Sequence, residues 1–153
     1  MTEKAGRILG IDYGKRRIGV AISDPSCVVA QGLQTIGYKT PPEALTKIEE
    51  IVSTYDVSEI VVGLPLTLRG EAQTAVIKTN AFITELRKRL DIPILRWDER
   101  FTSSIAESAI RDMGKSPSKH KEKVDEMSAI LILQSYLDRR GHSKSRYDSQ
   151  NDE

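Results

Sequence analysis

Apolar residues recur along this chain with two different periods, and each change of period marks an element. Ile8 to Ile11 is a short apolar run that gives way to Asp12-Tyr13-Gly14, and a β-branched run from Ile18 to Ile22 then leads out to Ser23-Asp24-Pro25. Apolar runs flanking a glycine-containing break predict strand, tight turn and strand. Val28 to Ile36, interrupted by Gln31-Gly32, predicts a third strand that completes an antiparallel meander. The period then lengthens. Thr40-Pro41-Pro42-Glu43 reads as a helix start, with an N-cap threonine, proline at the first helical position and glutamate three residues on. Leu45, Ile48, Ile51 and Val52 follow as a core-facing stripe that ends near Tyr55.

Beyond that helix, strand and helix patterns alternate. Ile60 to Pro65 is a short apolar run closed by proline, as expected of a buried central strand. Glu71 to Leu90 predicts a helix through Val76, Ile83 and Leu86, and Ile92 to Trp97 a strand whose Pro93 belongs near its start or on an edge. Ser103 to Glu107 opens another helix, which Gly114 closes. Gly114 to Lys123 reads as a mobile, positively charged loop, and Val124 to Arg140 is the strongest helix, carrying Met127, Ile130, Leu131, Leu133 and Leu137. Residues 1–7 form a polar leader, and 141–153 are polar enough to be expected disordered. The order implies one α/β domain over 8–140. Its sheet would be five-stranded and mixed, a three-stranded antiparallel meander plus two parallel strands, with helices on both faces.

Composition narrows the function classes. The chain has 153 residues, 39% of them apolar and 29% charged, which suits one globular domain with a real core. A formal net charge of +1 gives no bulk signature of polyanion binding, so any such site must come from local clusters. No apolar run approaches the ~20 residues of a membrane span, and the leader lacks a signal-like apolar stretch, so the expected location is the cytoplasm. Cys27 is the single cysteine, which excludes an internal disulfide and a cysteine-cluster zinc site; it reads as a small buried hydrophobe.

The candidate chemistry is acidic. Asp12 lies where the first strand ends, and an unpaired carboxylate there would be costly to bury. Asp98-Glu99 follow the last predicted strand, and Asp125 opens the final helix. In open α/β sheets, sites form beyond the carboxyl ends of parallel strands. If the Val61 strand lies between those carrying Asp12 and Glu99, their backbones are ~10 Å apart. Inward carboxylates could then share hard cations, Mg²⁺ or Mn²⁺, with Gly63 leaving room on the middle strand. Paired divalent ions suit phosphodiester hydrolysis. In that scheme Asp12 bridges, Glu99 binds one ion with Asp98 as its alternative, and Asp125 completes the cage. Lys15, Arg16, Arg17, Arg100, Lys115, Lys119, Lys121 and Lys123 would contact the nucleic-acid backbone. Each acid also has a plainer role. Asp12 can satisfy donors in its own turn, one of Asp98-Glu99 can cap a helix or pair with Arg100, and Asp125 is favoured by the helix dipole alone.

Taken together the segments resemble the YqgF/RuvX family, described as Holliday junction resolvases and as pre-16S rRNA nucleases. The resemblance rests on Gly10-Ile11-Asp12-Tyr13-Gly14 with Arg17-Ile18-Gly19-Val20-Ala21 and Ser23-Asp24. It continues through Val62-Gly63-Leu64-Pro65 with Gly70, Asp98-Glu99-Arg100-Phe101-Thr102, and Asp125 with Ser128-Ala129 and Ile132-Leu133. Ser103 and Ser128 depart from the Thr and Ala that the family often shows, without touching the acids. The resemblance implies an RNase H-like fold and a metal-dependent nuclease with Asp12, Glu99 and Asp125 as its acidic triad. The expected substrate is structured RNA, with branched DNA as runner-up, for a monomer or homodimer. Two other classes compete: a nucleotide-binding lobe of the actin/hexokinase kind, which needs a second glycine-rich hairpin that the chain lacks, and a non-catalytic nucleic-acid or transcription-associated module.

Overall fold

The computed structural model describes residues 6–64, 70–98 and 121–151. In chain order the elements are β1 (Arg7–Tyr13), β2 (Arg17–Ser23), β3 (Ala30–Gly37), α1 (Pro41–Tyr55), β4 (Val57–Leu64), α2 (Gly70–Arg89), β5 (Ile94–Asp98) and α3 (Lys121–Asn151). The strands form one sheet in the order β3-β2-β1-β4-β5. β1–β2 and β2–β3 are antiparallel, and β1–β4 and β4–β5 are parallel, so the predicted meander and two added strands are both present. β4 does lie between the strands that lead to Asp12 and to Asp98.

Strand alternation divides the core between the two sheet faces. Leu9 and Ile11 of β1, Ile18, Val20 and Ile22 of β2, and Ile60 and Val62 of β4 pack with α1 and α2 in one buried cluster. Ile8, Ala21 and Val61 pack on the other face with Ala129, Ile132, Leu133 and Leu137 of α3. Glycine permits that second contact to be close: a Cβ on Gly10 would fall 2.6 Å from the Leu133 Cβ and 3.1 Å from the Ala129 carbonyl oxygen.

The direction of α3 follows from its contacts with β3, which runs parallel to β1. Gln134 accepts the Ala30 N–H through Oε1 at 2.8 Å, at the start of β3. Glu126 instead lies over Gly32, where a Cβ would collide with its carboxylate. As the strand advances the helix therefore runs back, and its N-terminal turn approaches the carboxyl end of β1.

Several boundaries differ from expectation for identifiable reasons. β3 starts at Ala30 rather than Val28, because the Asp24 carboxylate accepts the Val28 and Val29 N–H groups, each at 2.8 Å, and holds both in a turn. Those valines are left 61% and 50% exposed. β4 starts at Val57 rather than Ile60, since Asp56 ends α1 in the left-handed conformation at φ 55° and turns the chain in one residue. α1 begins as expected after Thr40, yet the threonine side chain makes no cap bond; Glu43 instead accepts the Lys39 N–H at 3.0 Å. β5 starts at Ile94, directly after Pro93, on the sheet edge, which satisfies both requirements of a strand proline.

The final helix is longer at both ends than expected. Lys121 and Lys123, assigned to a mobile loop by composition, lie in its first turn, and the helix passes Arg140 to reach Asn151. One glycine costs a helix only about 1 kcal/mol, no proline follows, and a Cβ on Gly141 would meet nothing within 4 Å. Nothing at that point obliges the helix to stop. The helix expected from Ser103, the Gly114 cap and the remaining loop residues lie outside the described residues. Cys27 is half-buried against the α3 cluster with φ 60°, its thiol 3.5 Å from the Gly6 carbonyl.

Candidate active site

Asp12 stands on the α3 face at the carboxyl end of β1, because it shares strand parity with Ile8 and Gly10. Its partner across the antiparallel ladder is Gly19 of β2. On the other side, Ile11 pairs with Val62 of β4, so the next residue, Gly63, is level with Asp12. The carboxylate thus rises from sheet in which both lateral neighbours lack side chains. Glycine inside a strand weakens it and commonly marks close approach of a ligand or another backbone. Gly63 is the residue expected to leave room here, and Gly19, on the other side, likewise brings no side chain to the level of Asp12. The alternation of Gly19 among β-branched residues was the available signal.

The N-terminal turn of α3 comes to the same end and the same face. Asp125 lies in this part of α3, four residues before Ala129, whose carbonyl packs over Gly10. Positions 12 and 125, 113 apart by number, thus lie toward the same end of the sheet and on the same side of it.

β5 separates the two remaining acids. Ile94 belongs to the α1–α2 cluster, and the Arg96 guanidinium donates through Nε to Asn80 Oδ1 of α2 at 2.7 Å. Trp97 packs on the opposite side, edge-on to Tyr136 of α3 with ring centres 5.6 Å apart. Asp98, the last residue of the strand, therefore falls on the α2 face, away from Asp12. Glu99 and Arg100 lie outside the described residues, as do Lys115 and Lys119. Among the described residues no cluster of three metal-ligating side chains occurs.

The turn after Asp12 is fixed from three directions. Gly14 donates its N–H to the Arg17 carbonyl at 2.9 Å, and a Cβ on Gly14 would lie 2.6 Å from that oxygen. Tyr38 donates its hydroxyl to the Gly14 carbonyl and its N–H to the Arg16 carbonyl, the latter at 3.1 Å. Burial, and after it the neighbouring Tyr13 hydroxyl, pushes the Tyr38 phenol above its ordinary range, so it remains a neutral donor. Lys15 and Arg16 are exposed at this turn and Arg17 is half-buried beside it.

Behind the site, Ser23 is 1% exposed and accepts the Ile8 N–H through Oγ at 2.9 Å. Asp24 organises the following turn. The Ser26 hydroxyl, then the Val29 and Val28 amides, hold its carboxyl well below the usual carboxylate range. These two residues brace the strand pair and do not approach the acids.

A carboxylate on a glycine floor, with a second acid arriving on a helix turn and cations on the adjoining loop, can hold hard cations against a phosphate group. Comparison with known proteins points to a nuclease. The sequence profile of the RuvX family, described as Holliday junction resolvase, matches residues 6–139. A Koribacter versatilis protein named "Putative pre-16S rRNA nuclease" is 45% identical over 136 residues, 89% of each chain. A Ruminiclostridium cellulolyticum protein of the same name is 45% identical over 141 residues, covering 91% of this chain and 99% of its own. In fold the chain is similar to Thermus thermophilus RuvC in complex with Holliday junction substrate, with TM-score 0.57 and 15% identity over 89% of this chain and 96% of that one. It is also similar to the fowlpox virus resolvase bound to junction DNA, with TM-score 0.53 and 9% identity over 87% and 97% of the two chains. The fold is RNase H-like, and with the profile spanning nearly all of its described residues the chain belongs to the RuvX family of nucleases.

Proposed function

We propose that this protein is a divalent-metal-dependent endonuclease that hydrolyses phosphodiester bonds in structured RNA, and that it processes the 5′ end of precursor 16S rRNA in the cytoplasm. The observation that carries the reading is the position of Asp12, flanked by Gly19 and Gly63 at the strand end to which the Asp125 turn of α3 returns. The RNA substrate is inferred from the names of the relatives.

Asp12, Asp125 and Glu99 would hold Mg²⁺ or Mn²⁺, whose preference for oxygen donors matches an all-carboxylate set. When bound, such ions supply Lewis-acid polarisation of the phosphoryl group and stabilise charge on the leaving oxygen. The chain's own contribution is placement. Asp12 is carried by a strand paired on both sides, so its carboxylate changes position little as substrate arrives. The missing side chains at Gly19 and Gly63 let a phosphate approach it. Lys15, Arg16 and Arg17 on the pinned turn, with Arg100, Lys115, Lys119, Lys121 and Lys123, neutralise neighbouring phosphates. Glu99 is preferred to Asp98 as the third acid because strand parity sends position 98 to the α2 face.

A second reading, cleavage of four-way DNA junctions, is favoured by the family description and by the folds of the two resolvases. A symmetric junction would call for a homodimer, whereas cutting one RNA strand needs only a monomer. Incubating purified protein with a precursor 16S rRNA fragment and with a four-way junction, each with Mg²⁺ or EDTA, separates the two. Metal-dependent cleavage of the RNA alone is expected. Cleavage of the junction alone would transfer the activity to branched DNA, and binding without cleavage of either would make the protein a non-catalytic module.

A further inference from the structure

The opposite face of β1 carries a second feature, which the acidic site does not use. Tyr13 follows Asp12 directly and points the other way, into a cleft of about 420 Å³ between the β1–β2 turn, the start of α1 and the middle of α2. The volume lies within the ~300–1,000 Å³ of ordinary ligand sites. Its floor is a stack of three aromatic rings. Tyr13 lies 4.2 Å from Phe82 with an 18° angle between ring planes, and 5.8 Å from Tyr38 with an angle of 20°. Phe82 is buried, whereas Tyr13 and Tyr38 are half-exposed to the cleft.

The rim is cationic. Lys15, Lys39 and Lys78 line the cleft, all three exposed. Glu85, which also lines the cleft, pairs with Lys88 at 3.1 Å, and Glu43 pairs with Lys47 at 3.2 Å, accepts the Lys39 N–H and feels the Lys39 charge, so Lys15 and Lys78 are the rim cations with no ion pair among the described residues. Parallel aromatic rings at the floor and an excess of ammonium groups over carboxylates at the rim match the two chemical halves of a nucleotide. A base stacks on the rings whatever its identity, and a phosphate meets the lysines. An apolar peptide would leave Lys15 and Lys78 without a counterpart.

We propose that this cleft binds one unpaired nucleotide of a single-stranded segment that flanks the cleaved bond. The inference rests on the nuclease reading for its account of why such a strand is present. Position supports it, since adjacent residues of β1 are only about 3.8 Å apart at Cα and Asp12 and Tyr13 serve opposite faces of the sheet at the carboxyl end of the same central strand. A strand leaving the acidic site over the Gly14–Arg17 turn meets Lys15 and then the aromatic floor. The pocket would therefore favour substrates with an unpaired base beside the cut, at the end of a helix or in a bulge, over continuous duplex.

The test is binding, measured in EDTA so that cleavage plays no part. The probe is a six-nucleotide single-stranded RNA carrying 2-aminopurine, whose fluorescence falls when the base stacks, titrated into the full chain. Saturable quenching is expected for the unmodified protein and for Asp12→Asn. Tyr38→Leu should weaken binding about tenfold, the typical loss of one base–aromatic stack. Tyr38 also holds the turn, so Lys78→Glu on the exposed face of α2 provides an independent variant. It should weaken binding and reduce the slope of log affinity against log salt by about 0.7, one single-strand phosphate contact. Absence of quenching in the unmodified protein, or affinity and salt slope unchanged in Lys78→Glu, would overturn the proposal. Quenching that persists in a protein unable to cleave any substrate with Mg²⁺ would instead retire the nuclease reading and leave the nucleotide pocket standing.

Discussion

Asp12 and Gly19 stand directly opposite each other across the β1–β2 ladder, on the face covered by α3. Cross-strand neighbours of this kind have Cβ positions only ~4.5–5.5 Å apart, so a side chain at 19 would occupy the space beside the carboxylate. Gly19→Val is therefore expected to cut cleavage by more than about tenfold. Valine suits a strand, so the far-UV circular dichroism should be retained. Wild-type cleavage by Gly19→Val, followed on a labelled substrate, would show that the glycine floor is not used.

Gly10 tests the approach of α3. With Leu133 Cβ 2.6 Å and Ala129 O 3.1 Å from any Cβ placed there, the helix must move away. Overpacking of this sort costs about 1–3 kcal/mol, which a urea denaturation of Gly10→Ala would read as a lowered midpoint. The same displacement carries the Asp125 turn away from Asp12, so cleavage should fall at temperatures where the variant is fully folded. A variant of unchanged midpoint would mean that the helix position is softer than its packing indicates.

The neighbouring acids after β5 should behave differently. Asp98 falls with Arg96 on the α2 face, and Asp98→Ala is expected to lower cleavage less than about tenfold. Glu99→Ala, if that residue is the third acid, should lower it by two orders of magnitude or more, comparable with loss of a principal transition-state contact. Single-turnover rates of the two variants decide between them, and the reverse ranking would assign the ligand to Asp98.

These contrasts also show what the sequence carries and what it does not. β-branched runs around single glycines were enough for the meander, and the Leu45, Ile48, Ile51 stripe was enough for α1. The boundary at Ala30 was not legible, because Val28 and Val29 look like strand until Asp24 is seen to bind their amides. The end of the last helix was not legible either, since Gly141 resembles a stop only if something nearby would clash with a side chain. The place of Asp12 at a strand end, with Gly63 on the neighbouring strand, was legible, but the choice between Asp98 and Glu99 depends on which face β5 presents at its final residue. The Tyr38–Tyr13–Phe82 stack joins three elements and has no local signature at all.

Asp24 gives the fold an acid-sensitive point. Its carboxyl is depressed in the folded state by the Ser26 hydroxyl and the Val29 and Val28 amides. The stabilisation from a depressed carboxyl is fully present above the unfolded value of about 4 and declines as pH falls from there toward the folded value. Asp24→Asn should accordingly be less stable than the unmodified protein at pH 7, with the gap narrowing below about pH 4. Melting temperatures of both proteins across pH 7 to 2.5 check this, and a gap independent of pH would remove Asp24 from the account.

The central claim is that Asp12 belongs to a metal-holding acidic site, and Asp12→Asn tests it most directly because the amide keeps the size of the side chain and removes its charge. The measurement is the single-turnover rate on a precursor 16S rRNA fragment with Mg²⁺, alongside substrate binding and the denaturation midpoint of the same preparation. A fall of at least about a hundredfold in rate, with binding and folding retained and with EDTA abolishing the wild-type activity, is the predicted result. Cleavage by Asp12→Asn at the wild-type rate, or wild-type cleavage undiminished by EDTA, would contradict it.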